Sequence, residues 1–262
     1  MNESEVLSKL KAGGVWEVFE LSLKDFENRR MTIAEVTAIF NAFDAFWQYK
    51  GEPCAVRPHA FLKSKKHSNG FIMCKAVLDY PSMCMLFARE MLKAIEAEMT
   101  AVKINNIDFV ASSAYSAINL GWCLAWYLSE KYNKKVKHVI VEKDEDGNPT
   151  IIRGGLDSSL TGLVINELMT TIGGSTWETK EAILKCNGDK PAPAVMDLSF
   201  VLMHRSGDFH LADNSTVVPV FHFDMEDFDV EEGETCPYCE AGSEAIKPKS
   251  GITGNVYTAS FK

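Results

Sequence analysis

Residues 163–180, LVINELMTTIGGSTWETK, are the stretch whose residue types and order best suit chemistry. An apolar run ends in an amide and a carboxylate, Asn166 and Glu167, before a helical pattern begins. The turn between them consists of hydroxyl residues and glycines, namely Thr170, Thr171, Gly173, Gly174, Ser175 and Thr176. Such a turn can bind phosphate, because N–H groups at a helix N-terminus point at the anion and glycine lets the backbone approach closely. The alternative is a plain strand-to-helix turn with a Ser or Thr N-cap.

The composition limits the kinds of function that this stretch can serve. With 262 residues, 46% hydrophobic and 24% charged, the chain is typical of a globular protein that buries a full core. We find no apolar run of about 18 residues and no signal-peptide core, so we expect a cytoplasmic protein without a membrane span. Seven widely spread cysteines predict reduced thiols. The net charge of -9 argues against nucleic-acid binding, so an anionic substrate needs a locally positive site.

The rest of the chain predicts the elements that must hold the turn. Apolar residues at helical spacing and a capping box from Thr32 to Glu35 predict a helical lead-in over residues 1–55. From residue 107 onward, apolar runs alternate with helical patterns, which predicts a parallel sheet with helical crossovers. We expect strands at 107–111, 138–142, 150–153, 163–166, 194–204 and 217–223, and helices at 81–98, 117–132 and 176–185. Ligands of such sheets lie beyond the carboxyl ends of the strands, where the turn falls.

Six segments of the chain, taken in order, resemble the motifs of one enzyme family. They are 59–71 (HAFLKSKKHSNGF), 107–125 (IDFVASSAYSAINLGWCLA), 141–155 (VEKDEDGNPTIIRGG), 163–180, 204–207 (HRSG) and 236–250 (CPYCEAGSEAIKPKS). Together they resemble the type I phosphoribosyltransferases, most closely the orotate phosphoribosyltransferases. The resemblance implies an α/β fold, in which helices flank a Rossmann-like parallel sheet and a small hood covers it. It divides the chain into the lead-in (1–55), a phosphoribosyltransferase-like domain including the hood (56–250) and a C-terminal tail (251–262).

The resemblance also implies a reaction. Members bind 5-phosphoribosyl-1-diphosphate with Mg²⁺, join a nitrogenous base such as orotate to C1 of the ribose, and release pyrophosphate. Because the ribose gains cationic character, the site must hold phosphate, neutralise the leaving pyrophosphate and exclude water. The partners that it implies are these small molecules and a second copy of the chain in a homodimer, with neither nucleic acid nor a membrane.

The resemblance assigns roles to the residues that match the phosphate and ribose motifs. The turn from Thr170 to Thr176 would hold the 5-phosphate, and Glu167 would contact the ribose hydroxyls. The pyrophosphate loop of the family corresponds here to a serine-rich segment. Its candidate residues are Ser112, Ser113, Tyr115 and Ser116.

The resemblance assigns four cationic residues as well. Lys143 and Arg153 match the catalytic loop, where a cation would stabilise the negative charge that grows on the leaving group. Lys63 matches the segment that approaches the base. Arg205 would hold a base carboxylate, since a planar guanidinium binds a carboxylate through two hydrogen bonds. For Lys143 and Arg205, ordinary surface positions are the alternative.

The chain departs from the family pattern in two places. One carboxylate of an acidic pair is missing, and either Leu168 or Asn166 takes its place, depending on the alignment. The pyrophosphate loop lacks the usual glycines and lysine. Three functions therefore stay open: an active transferase for orotate or a related base, a catalytically degenerate relative that binds nucleotide or sugar diphosphate in a regulatory or interaction role, and a transferase for another base with His204 and Tyr115 reshaping the pocket.

Two features near the C-terminus complete the set of expectations. Cys236 and Cys239 form a C-x-x-C unit, but zinc needs four ligands and the sequence offers no second C-x-x-C or H-x-x-x-H. We therefore expect a structural tail without a metal, unless the fold brings up one of the later histidines, which are His204, His210 and His222. The acidic run 226–234 predicts a solvated loop.

Overall fold

A six-stranded sheet runs through the protein in this computed structural model, which describes residues 1–11, 14–49, 51–62, 64–151, 156–230 and 235–248. The helices are α1 (Glu3–Lys11), α2 (Val15–Phe19), α3 (Ile33–Ala42), α4 (Cys74–Leu78), α5 (Pro81–Glu98), α6 (Ala101–Asn105), α7 (Ile118–Tyr132), α8 (Gly174–Lys185) and α9 (Pro237–Glu240). The strands are β1 (Phe46–Gln48), β2 (His59–Phe61), β3 (His67–Ser68), β4 (Gly70–Ile72), β5 (Phe109–Ser113), β6 (Lys137–Lys143), β7 (Pro149–Thr150), β8 (Thr161–Met169), β9 (Ala194–His204), β10 (Thr216–His222), β11 (Asp227–Phe228) and β12 (Ala245–Ile246).

The main sheet has the strand order β10-β9-β8-β5-β6-β7. All of its neighbours pair in parallel except β7, which returns antiparallel to β6 across the acidic turn. Apolar runs such as that of β8 are buried on both faces, as expected for parallel strands covered by helices. The α/β class and the parallel sheet flanked by helices are confirmed. The strand predicted at 150–153 begins as expected, since Thr150 of β7 pairs with Glu142 of β6. Residues 152 and 153 lie outside the described residues.

The N-terminal helices share one hydrophobic core with the sheet. Val6 of α1 and Phe40 of α3 belong to the same buried cluster as Phe200 of β9. The predicted capping box forms, with the Thr32 hydroxyl accepting a hydrogen bond from the Glu35 backbone N–H. The lead-in predicted as helical over residues 1–55 is helical only in part, since α3 ends at Ala42 and the short strand β1 follows at Phe46–Gln48. The boundary at residue 55 stays a prediction, with a continuous core across it.

A second, smaller sheet forms the hood beside the main sheet, with the strand order β11-β3-β2-β12. Its strands come from distant parts of the chain and have two or three residues each. The acidic run predicted as a solvated loop enters this sheet: Asp227 of β11 pairs with Ser68 of β3. The prediction was wrong at this point because Asp227 forms an ion pair with the buried Arg205, which a view of the run alone could not reveal.

The sequence predicts that no helix of this protein spans a membrane. Within the described ranges, no helix combines the length and apolar character that crossing a bilayer requires.

Candidate active site

A cavity of about 740 Å³ opens beyond the carboxyl ends of β5 and β8, between the main sheet and the hood. Its walls come from the serine-rich loop, the end of β8, the turn before α8, and two hood segments. The lining residues are Phe61, Leu62, Ser64, Lys65, Phe71, Ser113, Ala114, Tyr115, Ser116, Asn166, Glu167, Leu168, Thr170, Ser175, Lys247 and Pro248. Four of the six segments singled out in the sequence therefore meet at one place, although they are far apart in the chain.

Gly173 shapes the turn of residues 170–176, which we call the phosphate turn after its predicted role. It is the N-cap of α8 and adopts a left-handed conformation, with φ of 72° and ψ of 26°. A Cβ there would lie 2.8 Å from Leu211 Cδ2 and 3.2 Å from Met169 Cε, so space and backbone both call for glycine. The N–H groups of the first turn of α8 have no acceptors within the helix, and Ser175 of that turn lines the cavity. This end of the cavity can therefore hold an anion.

The turn is held from behind by the segment that follows β9. The Ser206 hydroxyl donates a hydrogen bond to the Thr171 carbonyl, and the Arg205 N–H donates to the Met169 carbonyl at 2.9 Å. Thr171, Gly173, Gly174 and Thr176 are not among the residues that line the cavity, so phosphate binding by these four stays a prediction. Thr170 and Ser175 do line it.

Asn166 is one of the two residues that could stand where the family has the missing acid. Its side chain is buried and hydrogen-bonded to neighbouring segments of the protein. It is 2% exposed, and its Oδ1 accepts hydrogen bonds from the Ser113 hydroxyl at 3.2 Å and from the Glu167 N–H at 2.9 Å. Its Nδ2 donates to Thr176 Oγ1 at 3.1 Å. The amide serves as donor and acceptor at once, which an ionised carboxylate cannot do. Asn166 therefore joins the serine-rich loop to α8.

The serine-rich loop divides into residues that face the cavity and one that supports them. Ser113, Tyr115 and Ser116 line the cavity, and Tyr115 is 79% exposed. Ser112 is fully buried and shares a hydrogen bond of 2.8 Å with His138 Nε2. Burial lowers the pKa of His138 to about 4, so this imidazole is neutral at physiological pH. Ser112 thus fixes the loop to β6 and does not line the cavity.

Two cations at the cavity wall were missed by the sequence reasoning, which chose Lys63. Lys65 lies in the turn between β2 and β3 and lines the cavity, and so does Lys247 near the C-terminus. Lys247 Nζ lies 5.3 Å from the centroid of the Phe61 ring. The lysines of residues 63–66 indicate a basic segment near the site, but the sequence does not show which of them faces the cavity. Lys66 instead pairs with Asp229 at 2.9 Å, and Lys63 lies outside the described residues.

Of the predicted catalytic loop, the described residues 141–151 do not line the cavity. Lys143 ends β6 and forms a solvent-exposed ion pair with Glu178 of α8, with 3.4 Å between Nζ and Oε2. Arg153 lies outside the described residues. The catalytic roles of both residues stay predictions.

Arg205, predicted to bind the base, is buried behind the cavity wall. It is 1% exposed, and its guanidinium contacts Asp227 Oδ1, Ser68 Oγ and the Gly70 carbonyl, the last at 2.5 Å. Burial raises the pKa of Asp227, and the charge of Arg205 works against that rise. Arg205 is absent from the described lining residues, so base binding by Arg205 stays a prediction while its visible contacts fasten the hood to the sheet.

His204 is likewise buried, and its Nδ1 lies 2.9 Å from His222 Nδ1. Burial lowers the pKa of His204. Of the two residues expected to reshape the base pocket, Tyr115 lines the cavity and His204 does not.

Comparisons with known proteins give the same family as the motifs. No protein-family model matches the chain. The orotate phosphoribosyltransferase of a Sulfurovum species is 31% identical over 206 residues, which cover 77% of this chain and 96% of that protein. The enzyme of the same name from a Nitratiruptor species is 29% identical over 213 residues, or 79% and 97% of the two chains. The crystal structure of orotate phosphoribosyltransferase from Aeropyrum pernix has a TM-score of 0.45 and 18% identity, and the match covers 70% of this chain and 91% of that one.

Proposed function

The chain belongs to the orotate phosphoribosyltransferase family, and on that premise we propose that it transfers a phosphoribosyl group from 5-phosphoribosyl-1-diphosphate to orotate. The products are a pyrimidine nucleotide and pyrophosphate. The observation that carries the proposal is the cavity where the phosphate turn, Glu167 and the serine-rich loop meet. These three are the parts that a diphosphate sugar needs: an anion site, a hydroxyl acceptor and donors for the leaving group.

Glu167 is the acid that we assign to the ribose. Its side chain lines the cavity at the end of β8, between the phosphate turn and the serine-rich loop. A carboxylate there accepts hydrogen bonds from ribose hydroxyls and stabilises positive charge as it grows on the sugar ring. The Asn166 amide carries no charge and already bonds to Ser113, Glu167 and Thr176. We therefore propose that one carboxylate holds the ribose, where the family uses two.

Mg²⁺ enters this proposal with the diphosphate substrate. The cation prefers oxygen ligands and in nucleotide and phosphate sites takes one or two carboxylates along with substrate oxygens and water. The cavity wall offers such donors in the Glu167 carboxylate and the hydroxyls of Ser113, Ser116 and Thr170. The donor set fits Mg²⁺, which would neutralise the charge of the diphosphate.

Lys65 and Lys247 supply the positive charge that an acidic protein needs at this site. Both line the cavity from the hood side. We propose that they face the diphosphate or the orotate carboxylate, taking the part that the sequence assigned to Lys63 alone. A lysine serves this role as a mobile point charge on a flexible stem.

We further propose a cytoplasmic homodimer. Support for the dimer comes from Trp122 and Trp126, which lie one turn apart on α7 and are 59% and 43% exposed, an unusual pair for a surface helix. Support for the compartment comes from the seven cysteines, all of which are thiols in this structure. Light scattering of the purified protein tests the first point.

The decisive experiment measures pyrophosphate release from 5-phosphoribosyl-1-diphosphate, Mg²⁺ and a panel of bases. We expect release with orotate, and a kcat lowered about 100-fold or more in Glu167→Gln, because this change removes the charge but keeps the size. Glu181→Gln is the matched control, since Glu181 lies on the exposed face of α8 and pairs with Lys185.

Three outcomes would contradict the proposal in different ways. Calorimetric binding of the diphosphate without release for any base would leave a binding protein. Release with another base but not with orotate would move the substrate to that base. Equal rates in Glu167→Gln and Glu181→Gln would remove Glu167 from the reaction.

A further inference from the structure

Four potential metal ligands from two distant parts of the chain meet in the hood. His59 begins β2 and His67 begins β3, while Cys236 and Cys239 flank and enter the short helix α9. One ligand atom from each residue lies within 4.8 Å of every other. The imidazoles and the thiols are separated by about 170 residues in sequence, so only the fold brings the four together.

The distances in this cluster match the edges of a tetrahedron. Cys236 Sγ lies 3.4 Å from His59 Nε2 and 3.5 Å from His67 Nδ1, and Cys239 Sγ lies 3.5 and 3.4 Å from the same two nitrogens. Zinc bonds of about 2.3 Å to sulfur and 2.0 Å to nitrogen at tetrahedral angles put sulfur and nitrogen about 3.5 Å apart. The two nitrogens are 2.9 Å apart, a few tenths of an ångström closer than in such a tetrahedron.

The surroundings hold the ligand atoms in place. His59 Nδ1 lies 2.9 Å from Ser243 Oγ, which in turn donates to the Arg57 carbonyl, so the other ring nitrogen, Nε2, faces the cluster. A hydrogen bond from the second ring nitrogen is the usual support of a histidine that binds a metal. Cys236 Sγ accepts the Cys239 N–H at 3.4 Å, a contact that suits a thiolate.

Burial argues that the cluster has a purpose beyond packing. His59 is fully buried and Cys236 is 2% exposed, while His67 and Cys239 are half-buried. The two imidazoles direct nitrogens at each other and at two sulfurs, and His59 also stacks on Tyr238 with 5.5 Å between ring centroids. Polar atoms that converge this closely under an aromatic cover gain most from a shared cation.

We propose that His59, His67, Cys236 and Cys239 bind one zinc ion in a closed structural site that fastens the C-terminal segment to the β2–β3 hairpin. Two nitrogen and two sulfur donors in a tetrahedron favour Zn²⁺ over Mg²⁺ or Ca²⁺, which take oxygen ligands. With four protein ligands there is no open position for a substrate. An iron–sulfur cluster fits less well, because four ligand atoms around one point leave no room for two irons.

The site would also shape the cavity. From His59 the chain continues through β2 to Phe61, Leu62 and Lys65, which line the cavity. From Cys239 it continues through β12 to Lys247, which also lines the cavity. The zinc ion therefore lies at the base of both hood segments that carry the cavity's cations. The zinc site lies apart from the reacting centre and does not depend on which base the enzyme accepts.

Metal analysis of the full chain, purified without chelator, tests the proposal. We expect about one zinc per chain. In Cys239→Ser the zinc content should fall at least about tenfold, since loss of a ligand costs more than loss of a supporting contact. Cys186→Ser is the matched control, because Cys186 lies at the end of α8 outside the cluster, and its zinc content should equal that of the unaltered chain.

A second measurement uses the unaltered chain and so does not depend on whether Cys239→Ser folds. Co²⁺ added to zinc-free protein should give the strong visible bands of tetrahedral cobalt with thiolate ligands, and added Zn²⁺ should abolish them. Zinc below about a tenth of an equivalent together with no cobalt bands would overturn the proposal. A disulfide between Cys236 and Cys239 in the purified protein, or full zinc content in Cys239→Ser, would overturn it as well.

Discussion

The two sides of the cavity are built in different ways. On the sheet side, Asn166, Glu167 and the phosphate turn lie within about a dozen residues of chain, at the end of a nine-residue strand. On the hood side, β2 and β3 meet β11 and β12, which are more than 150 residues away in sequence. The sheet side is therefore a local structure supported by a large core, whereas the hood is an assembly of remote pieces.

This difference has consequences for stability. Strands of two or three residues form few ladder hydrogen bonds, and closing long loops costs conformational entropy before any contact forms. The hood must gain its stability from other contacts. Among these are two small apolar clusters, the Arg205–Asp227 ion pair and the four-ligand cluster, and we expect the hood to respond most strongly to loss of the last two.

The largest effect is expected from Arg205→Met, which leaves the Asp227 carboxylate without its partner in a buried site. Removing one member of a buried pair costs about 3–5 kcal/mol, so the free energy of unfolding should fall by about that amount. Urea unfolding measures it. The surface pair gives the matched control, because Lys75→Met breaks an exposed contact with Asp79 and should change the free energy by less than about 1 kcal/mol.

The same variant separates the two roles of Arg205. A structural role predicts lowered stability with partial recovery in the double variant Arg205→Met, Asp227→Leu, because no buried charge then remains. Unchanged stability with a raised KM for orotate would instead support the role predicted from the sequence, in which Arg205 binds the base.

A change at Gly173 should break the sheet side. Gly173→Ala places a Cβ 2.8 Å from Leu211 Cδ2 and forces a left-handed φ on a non-glycine residue, so we expect a loss of about 1–3 kcal/mol in stability and a raised KM for the diphosphate. Gly174→Ala is the control for stability, since nothing lies within 4 Å of its Cβ position. A KM for the diphosphate in Gly173→Ala equal to that of the unaltered chain would show that the turn does not hold the phosphate.

The sheet side should also carry a dependence on pH through His138. Its pKa is lowered by burial to about 4 in the folded protein, while an unfolded histidine keeps the ordinary value of 6.5. Between these values the unfolded state binds the proton first, so stability is lost as the pH falls from 6.5 towards 4. We expect the wild-type chain to lose about 1–2 kcal/mol between pH 7 and pH 5 from this group.

The His138→Gln variant should lack this part of the pH dependence. Urea unfolding with added zinc at the two pH values measures the difference, and the exposed His210→Gln is the control. An identical pH dependence in wild type and His138→Gln would show that His138 does not stay neutral in the fold.

The smallest effects are expected at the two lysines of the β2–β3 hairpin. Lys65→Ala should raise the KM for the diphosphate or for orotate about tenfold, or about 1.4 kcal/mol, with little change in stability, because Lys65 lines the cavity. Lys66→Ala, one residue further, should leave both KM values unchanged because its side chain pairs with Asp229. The reverse result would show that the hairpin has the opposite orientation in the working enzyme.

The parts that could be predicted from the sequence are those that depend on local pattern. The helix 81–98, the strand 194–204 and the Thr32 capping box match the structure, because periodicity and capping involve residues close in sequence. The phosphate turn and the serine-rich loop were found in the same way, since glycine and hydroxyl residues have clear local roles. Their meeting in one cavity follows from the parallel sheet, which brings the carboxyl ends of β5 and β8 together.

The tertiary structure alone decided which polar residues act together. No spacing in the sequence shows that Asn166 bonds to both Ser113 and Thr176, that Arg205 pairs with Asp227, or that Lys65 and not Lys66 faces inward. The sequence points to the later histidines as possible partners of Cys236 and Cys239, whereas the fold supplies His59 and His67 from the other end of the domain. The sequence by itself thus determined the strands of the sheet and the turn before α8, because hydrophobic periodicity and turn residues depend on close neighbours in the chain. The hood strands and the four-ligand cluster depend on contacts across some 170 residues, and the Arg205–Asp227 pair joins two segments that no local pattern relates, so only the folded chain brings these groups within bonding distance.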